Sequence, residues 1–157
     1  MNTNKNRILK LATLSALMLL PLLHTLSAWG GPGPLVEMTF TKWLNSFPYY
    51  TGIVEGDITG TLSTELVEFV PPDPLPASNA IRQVEATFHI YAGERSFDVE
   101  LQGHQNGDKG EALLNGVITD GWHEGARVQV EYDVLPGPFG VCPRKVCFVG
   151  TIRVMPN

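Results

Sequence analysis

The chain has 157 residues, 43% of them hydrophobic, and its 11 basic and 16 acidic side chains leave a net charge of −5. That length suits one domain able to bury a real core. The acidity argues against a nucleic-acid partner, whose phosphates demand a basic face, and against anionic membrane surfaces.

Lys5, Arg7 and Lys10 precede a nearly unbroken apolar run over residues 11–23, which closes on the small residues Ser27 and Ala28. A basic flank, a short apolar centre and a small-residue end predict a secretory signal peptide over residues 1–28, cleaved after Ala28. The run is shorter than the roughly 20 residues a spanning helix needs, so no membrane span is expected. The protein is expected to be exported, to the periplasm or beyond. Removing three basic residues leaves the 129 that follow at −8. Residues 29–35, beginning Trp29-Gly30-Gly31-Pro32, read as a flexible leader, and residues 36–157 as the folded domain.

From residue 36 onward the pattern alternates apolar and polar side chains with period two, broken by Gly, Pro, Asn and Asp at hairpin spacing. The predicted strands cover 36–43, 51–62, 64–70, 83–92, 95–103, 110–119, 126–134 and 146–155. Ala92-Gly93-Glu94 and Asn106-Gly107-Asp108 supply tight turns, and Asp120-Gly121 opens a longer one. Residues 71–80 and 136–145 are proline-bearing loops, since proline cannot donate to a central ladder.

The alternation sorts side chains onto two faces. Val84, Ala86, Phe88 and Ile90 share one face of their strand; so do Phe97, Val99 and Leu101 on the next, and Val128, Val130, Tyr132 and Val134 further on. The opposite faces carry Glu85, His89, Asp98, Glu100, Glu131 and Asp133, which places those paired carboxylates and the histidine in solvent. Eight successive antiparallel strands with one apolar face predict an all-β, single eight-stranded up-and-down barrel, because closure leaves no unpaired edge. At eight strands the lumen is either just filled by side chains or holds one small ligand.

Cys142 and Cys147 are the only cysteines. In an exported chain two lone cysteines pair, and neither metal-finger spacing nor a C-x-x-C redox motif competes, so a disulfide staple is expected and no metal site. Trp122-His123-Glu124 follows the sixth strand, where an aromatic and an imidazole at a barrel rim either gate a mouth or plug an end. Ser63 and Ser96 lack a nucleophile-elbow context, and no phosphate loop or dinucleotide fingerprint is present, so no cofactor is expected.

The ordered stretches YYTGIVEGDITGTLSTELVEFVPP, VEATFHIYAGERSFDVELQG, ALLNGVITDGWHEGARVQVEYDVL and CFVGTIRV resemble the barrel of the allene oxide cyclases and their dirigent-like relatives. The resemblance implies an eight-stranded barrel, frequently trimeric, whose lumen binds a hydrophobic small molecule and in enzymatic members steers a cyclisation without a cofactor. Those cyclases carry a catalytic glutamate on the first strand in an E-x-N pattern followed by Ser-Pro. Here Glu37-Met38-Thr39 is the nearest match, with Thr39 for the asparagine and no Ser-Pro after it.

The expected function is therefore binding of a small hydrophobic ligand in the lumen, with Phe88, Phe97, Tyr132, Trp122 and His123 as ligand-facing residues. Two alternatives stand beside it: an isomerase or cyclase using Glu37, acting on an unsaturated lipid or polyketide-like substrate, and an interaction barrel with a filled lumen. A cavity faced by Glu37 favours the enzyme, a purely apolar cavity the binder, and no cavity the interaction barrel.

Overall fold

A computed structural model describes residues 35–70 and 81–155. The expected signal peptide, its cleavage point, most of the leader and the proline-rich loop at 71–80 lie outside the described residues.

The strands run β1 Val36–Ser46, β2 Tyr49–Gly56, β3 Gly60–Val70, β4 Ile81–Tyr91, β5 Phe97–Asn106, β6 Glu111–Gly121, β7 Arg127–Pro136 and β8 Val146–Met155. Each pairs antiparallel with the next, and β8 returns to β1 to close the barrel. Every ladder is thereby satisfied by a neighbour, which removes the edges an open sheet would expose. The alternates assigned to one face in β4, β5 and β7 do line the interior: Phe88, Val99 and Val130 are 0% exposed, and only Val134, near the end of β7, is partly open.

One stretch departs from the period-two reading. Residues 51–62 do not form one strand. The chain turns between Gly56 and Gly60, where Gly56 takes a φ of +131° and Asp57 ties the corner to β1 by accepting from the Glu37 N–H at 2.9 Å. Ile58 points inward at the turn and is 3% exposed, so an apolar residue in mid-turn continued the alternation and hid the break. β5 likewise starts at Phe97 rather than 95, because Gly93–Arg95 winds into a short 3-10 turn. The Ser96 hydroxyl holds that turn, accepting from the Ala92 N–H and donating to the Gly93 carbonyl.

The barrel has two unlike ends. At one, the β2–β3, β4–β5 and β6–β7 turns gather over a packed interior. Trp122 lies against Phe97 with ring centroids 6.2 Å apart, and the Arg95 guanidinium sits over the Trp122 ring. At the other end are the β1–β2 turn, the Asn106 turn and the β7–β8 loop. Asn106 caps its own turn by accepting from the Asp108 and Lys109 N–H groups. A Cys142–Cys147 disulfide closes the β7–β8 loop, with Cα atoms 6.2 Å apart and both cysteines buried.

Candidate functional site

In β1, Val36, Met38 and Phe40 face the lumen, and two residues on the same register delivers Lys42 to it. Lys42 is 4% exposed. Its Nζ lies 3.9 Å from the centroid of the Phe88 ring, and the rings of Tyr50, Tyr132, Phe40 and Phe148 stand 5.3–5.8 Å away. Room for this arrangement comes from two glycines. A Cβ on Gly52, directly across the β1–β2 ladder, would come within 2.8 Å of the Lys42 Cβ; one on Gly150, paired with both Phe40 and Tyr132, would come within 2.7 Å of the Tyr132 Cβ.

Two effects act on the amine in opposite senses. Moving an ammonium out of water is costly, whereas aromatic faces attract it, at roughly 0.5–2 kcal/mol for a good contact. The rings return only part of the lost solvation, and burial lowers the Lys42 pKa to about 7. Among the described residues, no carboxylate lies within ion-pairing distance of it. Burial also pushes the phenols up, most strongly Tyr132, which Tyr50 raises further, and to a lesser degree Tyr50 itself. Around neutral pH the group is thus an amine that populates both its neutral and charged forms, beside two phenols that keep their protons.

Above Phe40 and Phe88 the lumen widens into a cavity of about 290 Å³ that opens at the disulfide-bearing end. Lys42, Tyr50, Tyr132 and Thr64 present its polar groups, while Ala86 and Leu114 line it with apolar surface and Phe47 and Phe69 stand towards the mouth. Arg82 lines the mouth as well, its guanidinium 5.2 Å from the centroid of the Phe69 ring. Thr64, 1% exposed, has a buried hydroxyl with no hydrogen-bond partner. An orphaned hydroxyl of this kind is costly to leave dry, and its lining position suits it to hydrogen-bond an occupant.

The residues singled out in the sequence fall in three places. Tyr132 lines the cavity, and Phe88 forms part of the cage around Lys42. Phe97 and Trp122 lie at the opposite, packed end, with exposed His123 at φ 58° stacked edge-on to Trp122. They close the barrel there and do not meet the cavity. Glu37 is on the outer face: its side chain is 51% exposed and accepts from Arg153 at 2.9 Å, and the same guanidinium reaches Glu131 at 3.0 Å. That geometry follows from register, since Glu37 alternates with the inward Val36 and Met38. His89 is outside too, 2.9 Å from Asp98.

Lys42 and Thr64 escaped the sequence reading although their signal was present. Both continue an inward alternation, Lys42 after Phe40 and Thr64 between Leu62 and Leu66, in strands whose two faces the alternation argument did not sort.

Among the described residues no three His, Cys, Asp or Glu side chains gather to hold a metal, and no helix is long and apolar enough to cross a membrane. No family model, curated protein or solved structure matches the chain. The comparisons thus give no support to a kinship with allene oxide cyclases or dirigent-like barrels, and the closed eight-stranded barrel shows the architecture alone.

Proposed function

We propose that this is an exported barrel that takes one small, largely apolar molecule into its lumen through the open end, with the molecule's polar terminus directed at Lys42 and Thr64. The observation that carries the reading is the cavity, with apolar walls and a few convergent polar groups at its base. That combination marks small-molecule sites generally. A cavity of roughly 150 Å³ holds benzene, so one of about 290 Å³ suits a molecule on the order of a dozen non-hydrogen atoms. The same volume favours binding over a barrel with a filled interior. A cyclisation could still proceed here by confinement alone, since holding reacting atoms close lowers a barrier without a titrating group; Glu37, on the outer face, would take no direct part.

Cinnamyl alcohol is a probe of suitable size and polarity. Titration followed by NMR is expected to shift resonances of Tyr50, Ala86, Leu114 and Tyr132 and to leave those of Trp122 unmoved. Ala86→Leu, which extends a side chain into the cavity, should abolish binding while the barrel stays folded. Shifts confined to Trp122 and His123, or binding unaffected by Ala86→Leu, would place the ligand elsewhere and defeat the reading.

A further inference from the structure

We propose that the Lys42 amine, at the base of the luminal cavity, forms an imine with a small unsaturated or aromatic aldehyde that enters the open end. The proposal rests on the binding reading above and adds a covalent step to it.

Three features of the site point to this chemistry. The first is the amine's isolation: it is caged by rings, and no acid among the described residues fixes it as an ammonium. An exposed lysine near neutral pH keeps only about one amine in a few thousand unprotonated, whereas burial leaves Lys42 balanced between its two forms there. The second is the unpartnered Thr64 hydroxyl on the same cavity wall, which can hydrogen-bond a carbonyl oxygen. The third is the shape of the walls, whose rings suit a flat conjugated body.

The step balances without any further reagent. The nitrogen lone pair attacks the carbonyl carbon, a C–N bond forms, and the carbonyl π pair moves onto oxygen. A proton passes from nitrogen to that oxygen to give a carbinolamine. The C–O bond then breaks, the oxygen leaves as water after taking up a proton, and the nitrogen pair closes the C=N bond while nitrogen loses its remaining proton. Aldehyde and amine become imine and water, with no change of oxidation level overall. The groups that face the cavity and can carry charge or protons are Tyr50 from β2, Arg82 from β4 and Tyr132 from β7. The two phenols, held protonated by burial, can donate hydrogen bonds but keep their protons, so the protons taken up and released in these steps pass to and from water at the open end. Water leaves by the open end, and its return hydrolyses the imine and frees the aldehyde.

The test uses the full folded domain with cinnamaldehyde and a borohydride reductant, followed by intact mass and peptide mapping. One reduced adduct on Lys42 is expected, formed faster as pH rises through about 7 and suppressed by excess cinnamyl alcohol. Lys42→Met should lose the adduct, whereas Glu37→Gln, on the outer face, should keep both the adduct and alcohol binding. Mapping on the unaltered protein locates the adduct even if Lys42→Met does not fold. If the alcohol binds but the aldehyde is trapped only on Lys109, Lys145 or the α-amino group, or not at all, the imine is refuted and the binding reading survives. If neither compound enters the lumen, both fall.

Discussion

The two ends of this barrel are built from the same eight strands with the same alternation, yet one is packed and the other hollow. At the packed end Phe97 and Ile58 fill the interior and Trp122 lies across it; at the open end Lys42, Thr64 and the two tyrosines surround a cavity. The contrast teaches that luminal direction alone does not make a site. Volume decides whether there is space, and the one or two polar residues on the inward register decide what the space can do. The packed end supplies stability, which lets the open end carry a buried amine and an unpartnered hydroxyl.

Substitutions of luminal side chains at the two ends, Phe97 and Lys42, should therefore have opposite signs. Phe97→Ala opens a hole in the packed end and is expected to destabilise by about 3–5 kcal/mol, the usual range for a buried aromatic. Denaturant unfolding measures this directly. A loss below about 1 kcal/mol would mean that the packed end is not the stabilising one.

Lys42→Met comes next and should stabilise, by about 4 kcal/mol near pH 7, because it removes an amine whose charged form burial disfavours. The pH dependence fixes the sign. With its folded pKa lowered to about 7 from 10.5, Lys42 binds fewer protons folded than unfolded between those values. The penalty is thus complete below about pH 7 and fades as pH rises towards 10. Unfolding curves for the two proteins should converge over that window, by at most about 1.4 kcal/mol per pH unit. Above about pH 10 both proteins should lose stability alike, since the folded state holds phenol protons that the unfolded tyrosines release. Parallel curves for the two proteins from pH 7 to 10 would show that Lys42 is not desolvated.

The Cys142–Cys147 bond guards the rim of the open end, and replacing both cysteines by alanine should cost about 2 kcal/mol, as expected for closing so short a loop. Circular dichroism should still report the barrel. Loss of the fold would make the rim as essential as the packed end, contrary to the contrast drawn here.

The barrel was legible because alternation is a repeated signal: inward side chains in β4, β5 and β7 were readable from spacing alone. The β2–β3 turn was not, since Ile58 buries itself in mid-turn and Gly56 can belong equally to a strand or a corner. The site was the least legible part. A lysine is read as solvent-facing by default, and only following the register of Val36, Met38 and Phe40 one step further brings Lys42 inside. Trp122 and His123 drew attention through composition, whereas their position after β6 assigns them to the packed end. The volume that separates the two ends depends on how side chains from different strands meet, which no single strand's pattern contains.

The smallest effect is expected on the outer face, where Glu37 shares the Arg153 guanidinium with Glu131. Both bonds raise the pKa of that guanidinium, the one to Glu131 first. All three side chains remain in contact with water, so screening and the remaining Glu131 partner should hold the cost of Glu37→Gln under about 1 kcal/mol. Being on the outward register, Glu37 should also leave cinnamyl alcohol affinity within a few-fold of the unaltered protein. The measurement decides between an inner and an outer site for any chemistry of this barrel. Should Glu37→Gln abolish conversion of an unsaturated epoxide or polyene by the purified protein, while Lys42→Met spares it, the reacting group lies outside the lumen, and the division between a working open end and a structural remainder fails.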